Sequence, residues 1–143
     1  MAASINLAKC RKMIRGAFSK GKEMGLQPLS VCVLDAGGHL LSFERQDGAA
    51  PGRFAIAQGK ANAAVMMGVP SSRMMERAEQ QAYFVGSLNG AYDGAFVPVP
   101  GGVLVRDKKG TILGAVGVTG DTSDNDAACA IAGIEAAGLT AEA

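Results

Sequence analysis

Few residues in this 143-residue chain have chemistry to offer, and most of those are charged. Lys60 and Arg45 supply cations, Asp35, Asp47 and Asp126 supply carboxylates, and Gly101, Gly102 and Gly120 offer backbone amides with no side chain in front of them. Such a set can hold a carboxylate by charge-assisted hydrogen bonds and leave Lys60 or Asp126 to move a proton. His39 is the only histidine and hence the only imidazole for iron or zinc. One histidine cannot build the usual zinc enzyme centre, and no cysteine–histidine or serine–histidine pair suggests a hydrolase triad. Each group also has a plainer role. Asp35 and Asp47 suit turn caps, Asp126 a helix N-cap, Arg45 the surface and His39 a solvated turn, while Lys60 can lay its stem along an apolar helix face.

Composition narrows the classes. With 48% apolar and 19% charged residues, the chain suits one domain, residues 1–143, with a substantial core. A net charge of +1 without a basic block gives no footprint for nucleic acid. No stretch approaches the roughly 20 apolar residues that span a bilayer, so no membrane partner is expected. Cys10, Cys32 and Cys129 are scattered and odd in number, unlike a disulfide framework or paired zinc ligands, and a cytoplasmic location is expected.

The elements that must position these groups follow from periodicity. From Ile5 to Met24, Leu7, Cys10, Met13, Ile14, Ala17 and Phe18 recur at helical spacing, with Lys9, Arg11, Lys12, Arg15 and Lys20 elsewhere on the cylinder. Ser4 or Asn6 supplies the cap and Gly25 the stop. The basic face reads as solvated, although a basic amphipathic helix can also lie on lipid. Leu29–Asp35 and His39–Arg45 form a hairpin with apolar residues on both faces, which calls for cover on both sides of the sheet. A helix over Arg53–Met67 carries Phe54, Ala57, Ala61, Ala64 and Val65 on one stripe bordered by Lys60, and a second runs over Arg73–Leu88. Asn89–Gly94 reads as a turn and residues 97–102 as an edge or loop. Residues 121–126 offer N-caps to a helix over Ala127–Ala137.

Residues 99–120 form the other hairpin. Gly114 and Gly117 interrupt its second strand, Ile112–Thr119, where bulk is the norm, and imply close approach of either a packed helix or a ligand. The two hairpins echo each other: Asp35-x-x-Gly38-x-Leu40-Leu41 has the spacing of Asp107-x-x-Gly110-x-Ile112-Leu113, which shared turn chemistry explains.

The VLDAGGHLLSFERQDGA hairpin, the IAQGKANAA helix with Lys60, PGGVLV and the ILGAVGVTG strand followed by Asp126-Ala-Ala-Cys-Ala together resemble the GlcG/HbpS-like family, also found as the C-terminal domain of PduO-type proteins. The resemblance implies an α/β (α+β), profilin-like three-layer α/β/α domain with a central antiparallel sheet of about five strands, and a homo-oligomer. It implies a small-molecule ligand, with haem first and an acid–base isomerase or lyase of small carboxylates as the alternative. It also brings Lys60, Arg45 and Asp126 to the Pro100–Gly102 and Thr119–Gly120 loops as an anion pocket, in which Lys60→Met would weaken the ligand without unfolding the chain. Two departures stand near that pocket: Gln46 where the family often has Met, which removes a thioether, and Thr119 where it often has Ser.

Overall fold

The structure, a computed structural model, describes residues 4–143. Helix α1 (Leu7–Met24) starts at Asn6, whose side chain accepts from the Lys9 amide at 2.8 Å, and ends at Gly25 in the left-handed conformation. Of the two caps the sequence offers, Asn6 is used. Strands β1 (Ser30–Asp35) and β2 (Leu40–Arg45) follow, then α2 (Arg53–Met67), α3 (Ser71–Gln80), α4 (Ala82–Ala91), β3 (Gly102–Arg106), β4 (Ile112–Thr119), α5 (Ser123–Ala136) and β5 (Thr140–Glu142). The five strands form one open antiparallel sheet in the order β2-β1-β4-β3-β5. Five helices on this sheet make an α+β fold.

The strand pleat divides the core. Val31, Val33, Val103, Val105, Val116 and Val118 face Cys10, Met13, Ile14 and Ala17 of α1 and Cys129, Ala130 and Ile134 of α5. On the other face, Cys32, Leu34, Leu104 and Ala115 meet Ala57, Ala61 and Ala64 of α2. A third cluster, Ala63, Met74, Val85, Leu88 and Phe96, joins α3 and α4 to the back of α2.

The strand glycines belong to the α2 contact. Gly102 and Gly117 are cross-strand partners. A Cβ on Gly117 would overlap the Ala57 carbonyl, and one on Gly102 the Lys60 carbonyl. The pair thus makes a bare track on which the α2 backbone rests, so at Gly117 packing, rather than a ligand, accounts for the missing side chain. At Gly114 the crowding atom is the Leu34 carbonyl of the neighbouring strand.

Several boundaries differ from expectation. The helix expected over Arg73–Leu88 is two, broken at Gln81 (φ −134°, ψ 57°), where Arg77 Nε donates to the Gln81 side chain at 2.8 Å. The break re-aims the chain so that Val85 and Leu88 reach the third cluster, and α4 then continues to Ala91 through residues expected to turn. Helix α5 starts earlier than its apolar stripe because Thr122 caps it, its side chain accepting from the Asn125 amide at 3.3 Å. Asp126, a candidate cap, lies inside the first turn instead. β5 had no sequence signal. The echo between hairpins is turn chemistry, since Asp35 Oδ1 accepts from the Gly37 and His39 amides and Asp107 Oδ1 from the Lys109 and Thr111 amides, all at 2.9 Å.

Candidate functional site

Lys60 lies on the face of α2 that rides the glycine track, and only 2% of it is exposed. Its Nζ donates to Asp126 Oδ2 and to the Val118 carbonyl, both at 3.0 Å. The stem crosses Gly101, where a Cβ would stand 2.8 Å from both Cδ and Nζ; glycine is needed there for space and for φ +124°. Asp126 is equally buried, and its Oδ1 accepts from the Asp121 amide at 2.9 Å. Asp121 in turn accepts from Asn125 Nδ2 at 2.8 Å and from the Gln27 amide at 3.1 Å; the Asn125 bond foremost, with the Thr122 and Gln27 amides, holds its carboxyl below the usual range. A bonded path therefore runs from Lys60 through the start of α5 to the loop after α1. Burial lowers the Lys60 pKa from 10.5, and Asp126 opposes the shift.

Beside this pair, Arg53 Nη1 donates to Thr119 Oγ1 at 2.9 Å. Ser30, the cross-strand partner of Thr119, has the one buried side-chain oxygen or nitrogen among the described residues that lacks a hydrogen-bond partner. Ser71 Oγ accepts from the Gly102 amide at 2.8 Å and donates to the Val99 carbonyl at 2.6 Å, pinning the loop that carries Gly101 and Gly102.

The candidates divide into three groups. Lys60, Asp126, Gly101, Gly102, Thr119 and Gly120 come together at the ends of β3 and β4. Arg45 and Asp47 are exposed and line a separate cleft of about 570 Å³ between the C-terminal end of α1 and the end of β2. Its other walls include Phe18, Lys22, Leu26, Pro28, Glu44 and Gln46. The cleft backs onto the first group, because Gly120 packs against the Pro28 carbonyl so closely that a Cβ would overlap it. Gln46 is structural as well as lining: its Oε1 accepts from the Leu29 amide at 2.7 Å and its own amide donates to the Leu29 carbonyl at 2.9 Å. Asp35 and His39 form the third group, on the β1–β2 turn at the opposite end of β2. The His39 side chain is 81% exposed there, with Nδ1 3.2 Å from Asp35 Oδ1.

Arg45 therefore does not join the Lys60–Asp126 pair as the anion pocket required. The cation on that side is Arg53, which sequence reasoning passed over although it sits seven residues, about two helical turns, before Lys60. Nor is Lys60 a free cation for an incoming anion, since Asp126 already neutralises it.

The remaining donors are few. Burial pushes the Cys32 thiol up to about 12 and Cys129 to about 11, and raises Cys10, so none offers a thiolate near neutral pH. Among the described residues no three His, Cys, Asp or Glu side chains cluster as metal ligands.

Residues 5–135 match the family described as haem-degrading protein HbpS-like. The chain belongs to the HbpS-like family. Among solved structures, HbpS is 29% identical with a TM-score of 0.80, covering 94% of this chain and 91% of its own. A double mutant of Streptomyces reticuli HbpS has the same identity and TM-score, at 94% and 88% coverage. The complex of PduOC with haem shares the fold at 20% identity, with a TM-score of 0.86 over 99% of this chain and all of that one. No curated protein matches the chain significantly in sequence. The HbpS-like fold thus agrees with the resemblance drawn from sequence.

Proposed function

We propose that this HbpS-like protein binds haem in the cleft between α1 and β2. The observation that carries the reading is the composition of that cleft. Phe18, Leu26 and Pro28 give it an apolar strip in an otherwise polar lining, and Lys22 and Arg45 line it beside Glu44 and Asp47 as cations for the propionates. Its volume of about 570 Å³ is within the usual range for ligand sites. The family description and the haem complex of PduOC support the choice of ligand.

The lining offers no histidine, cysteine, methionine or tyrosine for the iron, so haem would be held there by its edges and propionates. Lys22, Glu44 and Asp47 are the amine and carboxylate donors lining the cleft, whereas His39 lies six residues before Arg45 along an extended strand, roughly 20 Å away. Bound haem would supply redox-active iron. The chain's own contribution would be apolar contact from Phe18, Leu26 and Pro28 and neutralisation of the propionates by Lys22 and Arg45.

Haem titration of the purified protein should perturb the Soret band. Arg45→Ala or Lys22→Ala should each weaken binding about tenfold, as expected when one charged hydrogen bond is lost, and His39→Ala should leave the spectrum unchanged. An unresponsive Soret band defeats the proposal, and a band abolished by His39→Ala moves the site to the β1–β2 turn.

A second reading, acid–base catalysis on a small carboxylate, draws on the Lys60–Asp126 pair, whose Nζ and Oδ2 stand 3.0 Å apart and whose amine burial makes less basic. The two readings part at that residue: isomerase or lyase turnover requires Lys60, whereas haem binding in the cleft depends on Lys22 and Arg45.

A further inference from the structure

Helix α1 carries a concentration of charge of which the haem reading uses only Lys22. Six of the chain's 14 basic residues, Lys9, Arg11, Lys12, Arg15, Lys20 and Lys22, fall within its 18 residues, against one acid, Glu23. That is a net +5 on a chain whose total is +1, leaving −4 on everything else. The apolar stripe of α1 is committed to the core through Cys10, Met13, Ile14 and Ala17, so the opposite face is what the helix presents outward. Arg11, Lys12, Arg15 and Lys22 are exposed, and Lys9 and Lys20 partly so. The only ion pair among them is Lys20 with Glu23, at a loose 3.4 Å.

We propose that the α1 face docks the protein peripherally on an anionic lipid bilayer. Four to eight cations on one amphipathic helix suit an anionic membrane surface. The charge asymmetry orients the approach, since the rest of the molecule is net negative and is repelled by the same surface. Single-stranded nucleic acid is less well served, because the only aromatic residue of α1, Phe18, packs at the edge of the core and offers no stacking platform. With its apolar stripe buried in the fold, α1 does not insert, and the attachment is electrostatic and sensitive to salt. The face stands whether or not haem is the ligand.

Vesicle co-sedimentation of the haem-free full chain tests the proposal. The protein should pellet with vesicles of about 30% phosphatidylglycerol in phosphatidylcholine at roughly 50 mM salt, stay in solution with pure phosphatidylcholine, and be released as the salt is raised severalfold. The Lys12→Glu/Arg15→Glu variant changes two exposed side chains outside the cleft and should bind at least about thirtyfold more weakly, with an unchanged far-ultraviolet spectrum. Three results would each overturn the proposal: no pelleting at low salt, equal binding to the neutral vesicles, or tighter binding to a single-stranded polynucleotide than to the anionic vesicles. The wild-type salt titration decides the matter even if the variant fails to fold.

Discussion

An ammonium and a carboxylate taken out of water together stabilise a fold only while both are present. Lys60 and Asp126 meet at 3.0 Å with almost no exposure, and their remaining hydrogen bonds go to backbone. Lys60→Met therefore leaves the Asp126 carboxylate buried without its cation and should cost about 3–5 kcal/mol in urea denaturation. This prediction differs from the expectation drawn from sequence, that the substitution spares folding. The Lys60→Met/Asp126→Leu double variant should recover most of the loss, since well-packed apolar replacements of a buried pair are often neutral. The pH dependence has a definite sign. Because burial depresses the Lys60 pKa, the unfolded chain holds this proton more tightly, and stability contributed by this group rises with pH from the depressed value up to 10.5. The wild type should gain stability relative to the double variant across that window, and parallel pH profiles for the two proteins would contradict the assignment.

At the scale of elements, the contact between α2 and the sheet depends on two side chains that do not exist. Gly102 and Gly117 face the carbonyls of Lys60 and Ala57, and backbone oxygens cannot step aside as the end of a flexible side chain can. Gly117→Ala should then destabilise by about 3 kcal/mol or more through overpacking, read from the denaturation midpoint at an unchanged slope. Gly52→Ala, where nothing lies within 4 Å of the added methyl, should stay within about 0.5 kcal/mol of wild type. Lifting α2 also moves Lys60, so Gly117→Ala should disturb the Lys60–Asp126 pair from a distance.

For the whole molecule, the outer surface of α4 stands out. Residues 82–91 contain no charge, yet only Val85 and Leu88 are buried, while Tyr83 is 98% exposed and Phe84 and Met75 lie open nearby. Arg77 covers one face of Phe84 at 4.2 Å, and nothing comparable covers Tyr83. We propose that a second copy of the chain covers this patch, which gives the expected homo-oligomer a location. Light scattering at micromolar concentration should report more than the 14.5 kDa of one chain, and Tyr83→Glu/Phe84→Glu should return it to monomer. A wild type that scatters as monomer would refute the assembly, and an oligomer indifferent to the double change would place it elsewhere.

What the sequence determined by itself is local. Helical periodicity, the Asn6 and Gly25 caps, the hairpins and the paired Asp–Gly turns could be read because each depends on residues a few positions apart, where backbone hydrogen bonds and the burial of one face are decided. The membership of Lys60, Asp126 and the glycines at 101, 102 and 120 in one neighbourhood came from the family resemblance, and the fold agrees with it. The tertiary structure alone decided that Arg53 rather than Arg45 stands beside Thr119, that Asp126 already neutralises Lys60, and that Arg45 and Asp47 line a different cleft. It also decided the break at Gln81 and the pairing of β5 with β3. These outcomes turn on residues as far as 66 positions apart, and no short-range pattern records which of two cations the packing of a helix on a sheet will bring to a given hydroxyl.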